Sequence, residues 1–217
     1  MSSREKSSKL AVFAVLLLLL SFSLKGNEMN VTESESPQGD GSLFGIERRE
    51  WTEDVTPEQR IELAQAIRGT EVELAGTLKA RVETNKGEFW IMLYSEDAPN
   101  TVSNFIRLAE SGFYDGLTWH RYVEGFVIQG GDPTGTGAGN PGYTIDFERN
   151  PRTHEEGAVG MARGQDYNSA SCQFYICLQA VHQLNGAYVV FGIVTEGMEV
   201  VKELRADDTI TKISIAR

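Results

Sequence analysis

The pattern from about Leu78 to the end of the chain restricts the possible fold more than any other feature. Short runs of β-branched, aromatic and other apolar residues recur there, and glycine-containing turns separate them. Two such runs flank Asn85-Lys86-Gly87, which is typical of a β-hairpin. Because strands and helices do not alternate, the pattern favours an antiparallel barrel over a parallel sheet. The later runs are residues 126–129, 173–178, 188–193 and 210–215.

Only two segments within this region show helical spacing. In "APNTVSNFIRLAESG", Val102, Phe105, Ile106 and Ala109 recur at the period of one helix face, and Gly112 is a suitable stop. The segment "TEGMEVVKEL" predicts a second helix that begins at Thr195.

The first 77 residues fall into three predicted segments. Residues 1–24 combine basic residues with an uncharged apolar block at 10–24, as in a secretory signal peptide. Fifteen residues are fewer than the roughly 20 that span a bilayer comfortably, but an uncleaved anchor that attaches the chain to a membrane stays open. Either alternative predicts export. Residues 25–54 are interpreted as a flexible acidic linker.

The third segment, residues 55–77, is predicted to contain an N-terminal helix and a connection. Thr56, Pro57 and Gln59 form a capping-box pattern, and Gly69 can end the helix. This helix is expected to stand outside the main domain at 78–217, on which it could dock.

Composition and motif spacing exclude several classes of function. A net charge of −11 and a pI near 4.8 argue against a nucleic-acid partner. The three histidines are far apart and no paired cysteines support them, so neither a metal nor a cofactor is predicted. The glycine-rich residues 135–142 lack the Lys-Ser/Thr ending of a phosphate loop and are interpreted as a mobile surface loop.

Cys172 and Cys177 are predicted to be unpaired thiols in the core. Both are expected in one strand, where five residues of extended chain would separate them by about 17 Å. A disulfide requires Cα atoms within roughly 7 Å.

Five polar and aromatic residues remain as a candidate site: Arg121, Phe126, Gln129, Gln173 and Tyr175. Residues two apart on a strand share a face, so Gln173 and Tyr175 point the same way, while Phe174 can fill the core. A cation, two amides and aromatic rings on a concave surface would suit an uncharged peptide segment. From these residues alone, a surface Arg121 in a salt bridge is the favoured interpretation, and the peptide site stays open beside it.

Over about 78–215 the chain resembles a cyclophilin-type peptidyl-prolyl isomerase. The matching blocks are "TVSNFIRLAESGFYDG", "WHRYVEGFVIQGGD", "GAVGMAR", "SCQFYI" and "LNGAYVVFGIVTEGMEVV". The resemblance implies a mainly β fold, a closed eight-stranded antiparallel barrel capped by two helices, with the N-terminal helix as an addition. It also implies that Arg121 is the catalytic residue. The residues implied to bind the substrate are Phe126, Val127, Gln129, Ala162, Gln173, Tyr175, Leu184 and Tyr188.

The implied activity is rotation of X-Pro bonds in unfolded or extended polypeptides, in support of protein folding outside the cytoplasm by a monomeric enzyme. A peptide-binding chaperone module with little turnover is the alternative. Three positions depart from the best-known eukaryotic members, with Gln183 in place of tryptophan, Tyr188 in place of histidine and Val127 where methionine is common. We expect these changes to alter inhibitor binding and substrate preference more than catalysis.

Overall fold

The computed structural model describes residues 43–51 and 55–217 of the chain. The predicted signal peptide or anchor at 1–24 lies outside these residues, as does most of the predicted linker. Within the described part, no helix is both long enough and apolar enough to span a membrane. The α-helices of the described residues are α1 (Pro57–Ile67), α2 (Pro99–Glu110) and α3 (Met198–Glu203). The strands are β1 (Lys79–Thr84), β2 (Gly87–Leu93), β3 (Arg121–Val123), β4 (Val127–Gly130), β5 (Ala158–Met161), β6 (Phe174–Cys177), β7 (Val190–Glu196) and β8 (Ile210–Ala216).

The eight strands form one antiparallel sheet in the order β3-β4-β6-β5-β7-β2-β1-β8. The predicted closed barrel is wrong, because the sheet is an open half-barrel whose first and last strands do not pair. Strand β3 has only three residues. Among the described residues, the one β-bridge between the segments that precede β3 and β8 joins Thr118 to Thr209, which lie outside the named strands.

The main core lies between the sheet and helix α2. The predicted apolar stripe of α2 is confirmed, since Val102, Phe105, Ile106 and Ala109 are all fully buried. The Phe105 ring centroid lies 5.5 Å from that of Phe174 and 5.2 Å from that of Phe191. Gly112 follows the helix with φ of +81°, which confirms the predicted stop.

Helix α3 begins later than predicted. Thr195 belongs to β7, because this strand continues its pairing with β2 as far as Glu196. The turn into the helix is made at Gly197, whose φ is +80°. A Cβ atom there would lie 2.6 Å from the carbonyl oxygen of Glu88, so the close approach of β2 requires glycine.

The N-terminal helix and part of the predicted linker are bound to the domain. The capping box of α1 is confirmed by the bonds between Thr56 and Gln59. Arg60 of α1 is 6% exposed and donates to the carbonyl oxygens of Phe113 and Asp115 at 2.6 and 2.7 Å. In the linker, the indole of Trp51 donates to the Gly112 carbonyl at 2.6 Å. These bonds hold residues 43–51 against the end of α2, so this part of the predicted linker is not free.

Candidate active site

A cavity of about 250 Å³ opens on the face of the sheet where β3, β4 and β6 meet. It brings together every predicted site residue except Gln173, and it adds Arg163, which was not predicted. Its lining residues are Arg121, Phe126, Val127, Gln129, Ala162, Arg163, Tyr175, Leu184 and Tyr188.

Strand register explains why these side chains converge. Arg121 of β3 pairs with Gln129 of β4, Gln129 pairs with Tyr175 of β6, and Tyr175 pairs with Gly160 of β5. Residues that are directly opposite across a sheet project from the same face, so one row of the sheet builds one wall of the cavity. Ile128 and Phe174 belong to the two rows on either side, and their side chains are fully buried in the main core.

A directed series of hydrogen bonds fixes the predicted arginine and the two amides. Arg121 Nη1 donates to Gln129 Oε1 at 3.3 Å, and Gln129 Nε2 donates to Gln173 Oε1 at 2.9 Å. Gln173 Nε2 then donates to the carbonyl oxygens of Gly137 and Gly139 at 3.1 and 2.8 Å. No carboxylate of residues 43–51 or 55–217 forms an ion pair with Arg121. The surface salt bridge that the residues alone favoured is therefore not found there.

The glycine-rich loop that supplies the two carbonyl groups is anchored by Asp132. This residue is fully buried, and its carboxylate accepts hydrogen bonds from the backbone N–H groups of Thr134, Gly137 and Gly139. Burial opposes the charge, but these bonds and one from the Thr134 hydroxyl outweigh it and lower the pKa of Asp132. The loop is thus tied to the site rather than mobile as predicted.

The floor of the cavity is apolar and aromatic. Phe126, Leu184 and Tyr188 pack against a buried cluster that includes Val127 and Tyr175. The Arg121 guanidinium carbon lies 5.9 Å from the Phe126 ring centroid, within cation–π range. An uncharged, compact apolar group would fill this floor while its polar neighbours face the amides.

His154 holds Tyr175 from behind the cavity and was missed by the sequence interpretation. Asn185 Oδ1 accepts from the backbone N–H and Nδ1 of His154 at 2.8 and 2.9 Å, so Nδ1 carries the proton. In the neutral ring Nε2 is then the acceptor for the Tyr175 hydroxyl, at 2.9 Å. Burial lowers the pKa of His154, which favours this neutral form, and it raises the pKa of Tyr175.

Gln173 lies in a second cavity, of about 340 Å³, that adjoins the first. The two cavities share Gln129, Ala162 and Arg163 as lining residues. An extended chain bound in the first cavity can therefore continue into the second.

The three departures from the family pattern lie in different environments. Tyr188 and Val127 line the first cavity, whereas Gln183 is exposed and lines neither cavity. The glutamine at position 183 therefore leaves the floor of the cavity unchanged.

The two cysteines are free and buried, as predicted. The prediction that they share one strand is wrong, because only Cys177 lies in β6. Cys172 precedes β6 and packs in the main core, whereas Cys177 ends β6 and packs in the cluster below the site. Burial raises the pKa of each thiol to about 12, so neither is a reactive thiolate at neutral pH. Within the part of the chain that the structure describes, no group of three or more His, Cys, Asp or Glu side chains could hold a metal ion.

Comparison with known proteins identifies the family. The profile of the family "Cyclophilin type peptidyl-prolyl cis-trans isomerase/CLD" matches residues 79–216. Peptidyl-prolyl cis-trans isomerase B of Bacillus subtilis (strain 168) is 50% identical over 134 residues, which cover 60% of this chain and 91% of that protein. A peptidyl-prolyl cis-trans isomerase of Helicobacter pylori (strain ATCC 700392 / 26695) is 43% identical over 148 residues, or 66% of this chain and 90% of that protein.

Solved structures agree with the sequence comparisons. The crystal structure of a cyclophilin type peptidyl-prolyl cis-trans isomerase of Cryptosporidium parvum has a TM-score of 0.62 at 31% identity, and the match covers 65% of this chain and 99% of that chain. A second crystal structure of that isomerase, in the presence of the dipeptide Ala-Pro, has a TM-score of 0.61 at 32% identity, covering 64% of this chain and 99% of that one. Since the profile match spans more than half of the sequence, this chain belongs to the cyclophilin-type peptidyl-prolyl cis-trans isomerase family and is an isomerase.

Proposed function

We propose that this isomerase accelerates rotation of X-Pro bonds in unfolded or extended polypeptides, with Arg121 as its catalytic residue. The observation that carries the proposal is the position of Arg121, which is fixed by Gln129 at the wall of an apolar cavity of about 250 Å³. The family relationship supports the reaction, and the geometry supports the assignment of roles.

The reaction needs a hydrogen-bond donor more than it needs a base or a nucleophile. Amide resonance sets a barrier of roughly 18–20 kcal/mol to rotation of the peptide bond. When the bond twists, resonance is lost and the proline nitrogen gains a lone pair. A guanidinium that donates to this nitrogen stabilises the twisted state more than the planar one, which lowers the barrier.

The remaining residues of the cavity have complementary roles in this proposal. Phe126, Leu184 and Tyr188 hold the apolar proline ring, while Gln129 and Gln173 bind the flanking backbone without adding charge. The structure of the Cryptosporidium parvum relative in the presence of Ala-Pro supports a prolyl peptide as the ligand. Because the two adjoining cavities can hold a continuous extended chain, unfolded or extended segments are the expected substrates.

Substitution of Arg121 tests the catalytic assignment. We expect Arg121→Ala to lower kcat/KM by about 10²–10³ in a coupled proline-isomerisation assay, the usual loss on removal of one transition-state donor. Arg121→Lys should also be impaired, because an ammonium lacks the planar fork of guanidinium. Arg68→Ala, at the exposed residue that follows α1, is the matched control and should retain full activity, since Arg68 lines neither cavity.

Two results would contradict the proposal. Retention of most of the activity by Arg121→Ala would remove Arg121 from the mechanism. Tight binding of prolyl peptides by the wild-type chain without measurable turnover would favour the peptide-binding chaperone module instead.

We also infer that the enzyme works outside the cytoplasm, where it assists the folding of exported proteins. The support is the sequence of residues 1–24, in which basic residues precede the apolar block. N-terminal sequencing of the protein from its native host distinguishes a cleaved signal peptide from a retained anchor. Recovery of the full-length protein in the cytoplasmic fraction would contradict export.

A further inference from the structure

Arg163 lies at the junction of the two cavities of the site. It follows β5 by two residues and lines both the cavity that contains Arg121 and the adjoining cavity that contains Gln173. Its side chain is half-buried. A polypeptide that passes from one cavity to the other must therefore pass this guanidinium.

The Arg163 side chain is held in place on three sides. Its Nε donates to the Ala187 carbonyl at 2.9 Å, and its Nη1 donates to the carbonyls of Gly164 and Gln165 at 2.8 and 3.2 Å. The guanidinium carbon also lies 4.0 Å from the Tyr167 ring centroid and 4.7 Å from that of Tyr188. Among the described residues, none accepts a hydrogen bond from Nη2, so one donor edge of a pre-positioned cation remains open.

The charge of the site is opposite to that of the whole chain. The sequence contains 31 Asp and Glu against 20 Lys and Arg. Nevertheless, the described residues that line the two cavities include two arginines and no carboxylate. The nearby Asp132 is fully buried and engages its oxygens with the backbone of its own loop. No described acidic side chain forms an ion pair with Arg163.

We propose that Arg163 is a specificity-determining residue that favours substrates with Asp or Glu within two residues of the proline. The inference rests on the proposed function, because it concerns the residues that flank a proline bound beside Arg121. An extended chain advances about 3.3 Å per residue, so the flanking residues are those that reach the edge of the proline cavity where Arg163 lies. A carboxylate there meets a fixed guanidinium, the preferred partner for a planar anion.

The test compares turnover of short prolyl peptides that differ at one position. Glu, Gln and Lys are placed in turn at each of the two positions before and after proline, and kcat/KM is measured for each peptide with the full chain. Gln has the shape of Glu without its charge. At one or more positions we expect Glu to exceed Gln by about three- to tenfold, where tenfold corresponds to about 1.4 kcal/mol. The preference should shrink as salt screens the pair.

Variants of Arg163 connect the preference to this residue. Arg163→Met should bring the Glu-to-Gln ratio close to one, and Arg163→Glu should favour Lys, whatever the change in absolute activity. Arg205→Met is the matched control, because Arg205 also lies over a tyrosine ring, at 4.5 Å from Tyr122, and donates to two backbone carbonyls. Arg205 lines neither cavity, so this variant should keep the wild-type ratio.

The outcomes separate this inference from the function on which it rests. Turnover of all peptides without a preference for Glu at any position would overturn the role of Arg163 and leave the isomerase function intact. So would an equal loss of preference in Arg205→Met. If no peptide is turned over, the proposed function fails, and calorimetric titration with the same Glu and Gln peptides still decides the preference, since equal affinities would overturn it.

Discussion

The directions of the hydrogen bonds around Arg121 are fixed by the groups at the two ends of the series. A guanidinium can only donate, and the carbonyl groups of Gly137 and Gly139 can only accept. The amides of Gln129 and Gln173 therefore have one permitted orientation each. Because Asp132 anchors the loop that contains both glycines, the position of Arg121 depends on a buried carboxylate several bonds away.

Replacing Gln173 should interrupt this series. Gln173→Leu leaves Gln129 Nε2 without its acceptor and two carbonyl groups without their donor. Loss of buried hydrogen bonds of about 1–3 kcal/mol corresponds to a fall in kcat/KM of about 5- to 160-fold. Gln179→Leu, at an exposed position, is the control for the change of side chain. Equal activity of Gln173→Leu and wild type would show that Arg121 is positioned without the amides.

His154 should make the stability of the fold depend on pH. Burial lowers its pKa in the folded state, so below about pH 6.5 the unfolded chain binds more protons than the folded chain. The contribution of neutral His154 to the free energy of unfolding should therefore be complete above about pH 6.5. It should decrease as the pH falls towards the lowered pKa that His154 has in the folded chain. Burial lowers the pKa of His120 as well, so His154 accounts for only part of the effect.

Urea unfolding at pH 7.5 and pH 5 measures this dependence. His154→Gln should lose less stability between the two pH values than the wild type does, although its stability at pH 7.5 is lower. An equal loss in both proteins would show that His154 does not titrate differently in the folded and unfolded chains.

Elements determined by local patterns could be predicted from the sequence, and elements determined by distant contacts could not. The turn at Asn85-Lys86-Gly87 and the apolar stripe of α2 depend on residues that are close in sequence. By contrast, Thr195 has the sequence of a helix cap but lies in β7, because β2 pairs with the strand up to Glu196. The failure of β3 and β8 to pair depends on a geometry that no local pattern encodes.

The same distinction applies within the site. Arg121, Phe126 and Gln129 lie in one short segment, so a single sequence block that resembles the family predicted all three as site residues. His154 and Arg163 were missed because their partners, Tyr175 and Ala187, lie more than twenty residues away along the chain. Their side-chain types alone do not distinguish them from a core histidine and a surface arginine.

Strand β5 should tolerate no side chain at Gly160. A Cβ atom there would lie 2.3 Å from the ring and hydroxyl of Tyr175 on the paired strand β6. The ring cannot move away from the cavity easily, because its hydroxyl is bound to His154 on that side. We expect Gly160→Ala to push Tyr175 into the cavity and to lower kcat/KM for prolyl peptides by about tenfold or more, through loss of a fitted binding wall.

Gly69→Ala is the control for this substitution, since a Cβ atom at residue 69 would meet no atom within 4 Å. Full activity of Gly160→Ala would show that Tyr175 can move without affecting the substrate site.

On the scale of the whole molecule, the N-terminal helix is part of the unit that contains the sheet. The described residues 43–51 and 55–217 belong to one compact unit, whereas the family match begins only at residue 79. Trp51 and Arg60 attach the N-terminal segment to the carbonyl groups at the end of α2. The Trp51 ring centroid also lies 5.1 Å from the Arg60 guanidinium carbon. The segment thus satisfies polar groups that would otherwise face solvent.

Arg60 should therefore contribute to stability without contributing to catalysis. Burial lowers the pKa of Arg60 to about 10, which still leaves it charged at neutral pH. Arg60→Met removes its donors from the carbonyl groups of Phe113 and Asp115. We expect this variant to lose about 2–4 kcal/mol of unfolding free energy. For a chain of this size that loss lowers Tm by roughly 4–16 °C.

The control is Glu62→Met, on the exposed side of the same helix, which should leave Tm nearly unchanged. Since Arg60 lines neither cavity of the site, kcat/KM of Arg60→Met at low temperature should match the wild type. Thermal unfolding followed by circular dichroism, with activity measured on the same samples, separates the two effects. An unchanged Tm would mean that α1 contributes little to the folded domain. A loss of activity at full stability would mean instead that the helix acts on the site.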